Sequence, residues 1–141
     1  MKNRVIIIHD LEHAKAALSA AGRLGITVTL MSAPGAAAYL GAAVFRDMVA
    51  EAARACPDAA YCAVLDCGED AGLALGALRN GVKRIRVEAA DEVKARIAGI
   101  AAQTGAMLWR EDLEALDLLD GDGAEEAYEA CRAWLAGGEN S

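Results

Sequence analysis

A chain of 141 residues with 55% hydrophobic composition is long enough for one domain with a real core and too short for two of ordinary size. Its formal net charge of -7 argues against nucleic acid as a partner, because a phosphate-backbone binder needs a basic surface to displace counterions. Four cysteines, at 56, 62, 67 and 131, form no C-x-x-C pair, so they read as reduced thiols of a cytoplasmic protein and not as a disulfide scaffold.

The N-terminus MKNRVIIIHD carries two basic residues before a short apolar run that stops at a His-Asp pair. This predicts a first strand and not a signal peptide. No apolar segment approaches the roughly 20 residues that cross a bilayer, so no membrane partner is expected.

Two periodicities then alternate. VIIIH (5–9), ITVTLM (26–31), YCAVLD (61–66) and RIRVEA (84–89) are short and β-branched, and the segments between them are Ala-rich and helix-length. The first helix is predicted over Leu11–Leu24, with Asp10 as N-cap and Gly25 as the left-handed stop. A second spans 36–56 after Pro34 and Gly35 and ends before Pro57; a third spans 70–80; a fourth spans 91–103 with Asp91 as cap. AMLW (106–109) is a short fifth strand. The fold class is therefore α/β: repeated βα units with a parallel sheet of four or five strands, half-TIM-barrel-like or flavodoxin-like, because helix-length crossovers return the chain to the same end of the sheet.

Residues 1–109 form the βα-repeat domain in this reading, and 110–141 an acidic connector followed by an amphipathic helix over 124–136 with Trp134 on its apolar face. Such a helix needs a surface to cover, on its own subunit or on a dimer partner. Half a barrel leaves sheet edges and an apolar face open, so a homodimer is expected.

Parallel pairing gathers the strand ends on one side, where α/β folds place ligands. Candidate site residues there are His9, Ser32, Gly35, Asp66, Cys67 and Glu88. His9 has the chemistry of a general base or of a histidine that orients its loop. Ser32-Ala-Pro-Gly35 is a strand-to-helix turn whose N–H groups suit an anion or serve an ordinary turn. Asp66 and Glu88 end neighbouring strands, where converging carboxylates would serve proton transfer; the alternative is one helix cap and one solvated acid. In VLDCGED (64–70), the plain reading makes Asp66 the cap of the next helix and Cys67 a small buried filler. Asp120-Gly-Asp-Gly123 carries only a fragment of a calcium-loop pattern.

IIIHDLEHAKAAL, VTLMSAPGAAAYLG, PDAAYCAVLDCGED and LRNGVKRIRVEA together resemble, in order and spacing, the first half of class II metal-dependent aldolases of the fructose- and tagatose-bisphosphate type. The resemblance covers about residues 5 to 105. The family's third segment reads H-L-D-H-G, with the Asp as acid/base and the second His on the catalytic zinc. Asp66 matches that acid, Cys67 stands at the zinc-binding His, and Val64 replaces the first His. A thiolate can hold zinc, so Cys67 is the one metal candidate, but the family's other zinc-binding histidines and phosphate-gripping loops lie in a second half that the resemblance does not reach. No cofactor is otherwise expected.

Acids at Asp10 and Asp66 also resemble phospho-acceptor receiver domains. Those domains pair two acids after strand one and place Ser or Thr and Lys after strands four and five, where this chain has His9, Glu88 and Arg110. The expectation is a degenerate half-barrel relative of the aldolases, non-catalytic or weakly active, serving as a dimeric interaction or small-molecule-binding module. The alternative is an aldolase- or lyase-like enzyme on a small carbonyl or phosphosugar substrate, with Asp66 as acid/base assisted by Glu88 and His9, and Cys67 as nucleophile or soft metal ligand.

Overall fold

The computed structural model describes residues 4–118 and 123–137. The strands are β1 (Arg4–Ile7), β2 (Thr27–Met31), β3 (Ala60–Asp66), β4 (Arg84–Arg86), β5 (Met107–Leu108) and β6 (Ala115–Asp117). The helices are α1 (Leu11–Leu24), α2 (Ala42–Ala55), α3 (Ala71–Arg79), α4 (Asp91–Gln103) and α5 (Ala124–Leu135). The strands form one parallel sheet in the order β5-β4-β3-β2-β1-β6. Strands one to five thus follow one another in space as in sequence. A flavodoxin-like or receiver sheet would set β1 between β2 and β3, so of the two parallel architectures the sequential one is observed. The acidic segment read as a connector supplies the sixth strand, β6, beside β1; three residues are too few to raise an alternating pattern above their charged surroundings.

Val5, Ile6, Val28, Leu30, Val64, Leu65 and Ile85 are all buried, the near-continuous apolar run that a parallel sheet requires when helices cover it. The chain divides into two compact units, one of Met1–Met31, Met48–Cys62 and Asp112–Ser141, the other of Ser32–Asp47 and Ala63–Glu111.

In the first unit α1 keeps its sequence-predicted bounds. The Asp10 carboxylate accepts the His13 backbone N–H at 2.8 Å, and Gly25, at φ 67°, ends the helix in the left-handed region with its N–H donated to Ala21 O. Helix α5 packs on α1 and touches β1. Ala127, Cys131, Trp134 and Leu135 form its buried face, the Trp134 indole N–H donates to Val5 O at 3.1 Å, and the Arg4 guanidinium lies 4.4 Å from the ring centroid. The surface that the amphipathic tail needs is therefore supplied by its own chain.

In the second unit the helix expected over 36–56 is interrupted. Ala36–Ala38 form a single 3-10 turn, and α2 begins only at Ala42, after Gly41 at φ 88°. Asp70, not Asp66, caps α3, accepting the Leu73 N–H at 3.1 Å. Asp91 lies inside the first turn of α4 behind Ala90, whose side chain gives no cap; there the acid favours the helix dipole instead of bonding an amide. The 120–122 part of the Asp-Gly-Asp-Gly motif lies outside the described residues. Among the described residues no helix is long and apolar enough to cross a membrane.

Candidate functional site

The end of β3 and the Ser32–Gly35 turn are joined by a closed set of short bonds. The Ser32 N–H donates to Val64 O at 3.1 Å, extending the strand pairing. The Asp66 N–H then donates to Ser32 Oγ at 2.9 Å, and that hydroxyl donates to Ala33 O at 3.2 Å. Asp66 Oδ1 accepts two backbone donors, Gly35 N–H at 2.9 Å and Gly68 N–H at 2.8 Å. Its Oδ2 faces Arg86 Nε at 3.9 Å. The carboxylate thus clasps two loops that cross closely: a Cβ on Gly68 would lie 3.4 Å from Gly35 Cα, and Gly68 has φ 61°. Both glycines sit in the left-handed region that side chains disfavour.

This geometry changes what the sequence candidates can do. The Gly35 amide, which an external anion would need, already serves the protein's own carboxylate. Ser32 is 1% exposed and its hydroxyl both accepts and donates within the network. Asp66 pairs with Arg86, whereas Glu88 is exposed and its N–H ties it to Gly68 O at 2.8 Å. His9 belongs to the other unit. There the His9 imidazole Nε2 stands 2.7 Å from Asp117 Oδ1, and the His9 backbone N–H donates to His13 Nδ1 at 3.1 Å. Asp117 ends β6, so its pairing with His9 depends on a strand that the sequence does not announce.

Cys67 is buried, and its thiol donates to Leu65 O at 3.8 Å. Burial, followed by the charges of Asp66 and Asp70, pushes its pKa up to about 12. It is a protonated thiol at neutral pH and therefore a poor nucleophile, which needs the thiolate. Among the described residues no group of three or more His, Cys, Asp or Glu is placed to hold a metal ion, and a catalytic zinc takes three protein ligands. A zinc ion on Cys67 does not fit this donor set.

Cys131 is likewise pushed up to about 12 by burial, while Cys56 and Cys62 are half-buried. A disulfide reagent at pH about 8 is expected to label Cys56 and Cys62 in the native protein, and Cys67 and Cys131 only on unfolding. Rapid native labelling of Cys67 would contradict this placement. Because both buried thiols rise from an ordinary 9.0, the folded state holds protons that the unfolded state loses. Their contribution is present in full below pH 9.0 and falls as pH rises towards about 12, by at most about 1.4 kcal/mol per pH unit for each thiol. A Cys67→Ala/Cys131→Ala double variant is expected to show a flatter alkaline stability profile in urea titrations than the parent.

Sequence reasoning reached a second feature of this unit only in part: it set Glu88 and Arg110 at the strand ends but not Arg86 or Lys94. A cavity of about 250 Å³ opens at the ends of β4 and β5, with Arg86, Glu88, Lys94, Trp109 and Arg110 on its walls. Arg86 alternates with buried Ile85 along β4, which was the available signal for a side chain aimed away from the core.

Comparison with known proteins supports the fold. No family model matches the sequence, and no curated protein matches it. Among solved structures, that of a protein from Coccidioides immitis assigned as a fructose-1,6-biphosphate aldolase is similar, with a TM-score of 0.61 and 20% sequence identity over 92% of this chain. The chain spans about half of that protein, 52% of its length. At that identity the likeness is one of fold, an α/β arrangement around a parallel sheet.

Proposed function

We propose that this chain is a catalytically silent, small-molecule-binding relative of the first half of class II aldolases, working as a homodimer. One observation carries the reading: the aldolase-matching acid, Asp66, spends Oδ1 on the Gly35 and Gly68 amides and turns Oδ2 to Arg86. A carboxylate employed in holding two loops together is a structural clasp. Its neighbour Cys67, at the position of the family's zinc-binding histidine, is a buried thiol. The edge strands β5 and β6 give a second copy a surface to cover, and the four free cysteines suit a cytoplasmic location.

The test is turnover. Purified chain incubated with a ketose bisphosphate, with and without added zinc, is expected to release no triose phosphate above the buffer rate. Release that Asp66→Asn abolishes would establish the alternative, a lyase with Asp66 as acid/base. Light scattering over a range of concentrations tests the dimer.

A further inference from the structure

Of the polar side chains lining the cavity at the ends of β4 and β5, four carry hydrogen-bond donors (Arg86, Lys94, Trp109 and Arg110) and one, Glu88, is an acid. Arg86, Lys94 and Arg110 bring three cations to it against the carboxylate of Glu88, in a chain whose net charge is -7. Arg86 is a fixed charge, held by Asp66 and donating to Glu111 O at 3.1 Å. Lys94 is half-buried, and among the described residues neither its ammonium nor the exposed Arg110 guanidinium finds a hydrogen-bond or ion-pair partner. The Trp109 indole N–H is buried and without an acceptor among the described residues, although the residue is anchored by its backbone N–H on Ile85 O at 2.7 Å. The unpartnered Lys94 and Arg110 donors call for an acceptor-rich guest, with the buried Trp109 indole close by as a reporter.

We propose that this cavity is an oxyanion site for a small molecule bearing a phosphate-type group, with Lys94 and Arg110 as its principal ligands and Arg86 as a fixed supporting charge. Arg86 is already balanced by Asp66, so Lys94 and Arg110 against Glu88 leave about one positive charge for a phosphate-type group to answer. The volume of about 250 Å³ lies below the roughly 300–1,000 Å³ of drug-sized sites, which suits a guest little larger than its anionic group. The proposal deepens the small-molecule-binding reading and rests on it.

The experiment titrates the full ¹⁵N-labelled chain with inorganic phosphate, with chloride at matched ionic strength as control. A saturable shift of the Trp109 indole resonance is expected, with the Trp134 indole unmoved. Lys94→Gln and Arg110→Gln should each weaken phosphate binding by about tenfold or more. Lys83→Gln should leave it unchanged, because that ammonium donates to Thr104 O at 3.0 Å and does not line the cavity. An unmoved Trp109 resonance, an equal response to chloride, or equal weakening by Lys83→Gln would each overturn the site. The binding-module reading fails separately: turnover of a phosphosugar with phosphate affinity intact overturns silence and leaves this site standing, whereas absent turnover without phosphate binding overturns this site alone.

Discussion

Trp134→Ala is expected to destabilise the protein by about 3–5 kcal/mol, the usual range for deleting a buried large aromatic. Trp134 is 3% exposed on the face of α5 that packs on α1. Three separate contributions vanish with the ring: its apolar burial, the N–H donated to Val5 O, and the stacking of Arg4 at 4.4 Å. Because a domain of this size commonly holds only about 5–15 kcal/mol in all, the variant should unfold at a far lower urea concentration. Trp134→Phe keeps most of the burial and loses the hydrogen bond, so it should sit between the two. A Trp134→Ala protein within about 1 kcal/mol of the parent would mean that α5 does not rest on α1 as described, since a cavity of that size is felt wherever packing is close.

The second large effect is expected at Asp66. Asp66→Ala removes the shared acceptor of the Gly35 and Gly68 amides. Each stranded donor costs about 1–3 kcal/mol, giving a sum on the order of 2–6 kcal/mol. Asp66→Asn retains an acceptor oxygen at Oδ1 and loses the charge facing Arg86, and should cost clearly less. The ordering Ala well below Asn, with Asn close to the parent, is the signature of a clasp. Equal, small losses for both variants would show that the two loops hold their positions without the carboxylate and would return Asp66 to the role of a free acid. Urea denaturation monitored by far-UV circular dichroism distinguishes the outcomes.

Recognition of the elements rested on short-range information. The Asp10 cap and the Gly25 stop bound α1 at the predicted residues because capping is settled within four positions along the chain. The same rule read too far at 36–56, where an Ala-rich run masked the break at Gly41; composition alone does not reveal a left-handed glycine. β6 escaped notice because its pattern is three residues long and its partner, β1, stands more than a hundred positions away. The cavity escaped in part for a related reason: Arg110 follows its strand in the sequence, but Arg86 and Lys94 join it only when β4, β5 and α4 come together.

From the sequence alone follow the alternation of strand and helix, the parallel sheet that helix-length crossovers impose, and the placement of VLDCGED at a strand end. Periodicity and caps act over a few residues, so the chain carries them openly. The employment of that strand end was decided by the tertiary structure: Asp66 meets an amide 31 positions away in Gly35, and Cys67 is sealed off so that its proton stays on. Those outcomes depend on which backbone groups register and burial bring within bonding distance, a property of the packed sheet that no local pattern contains.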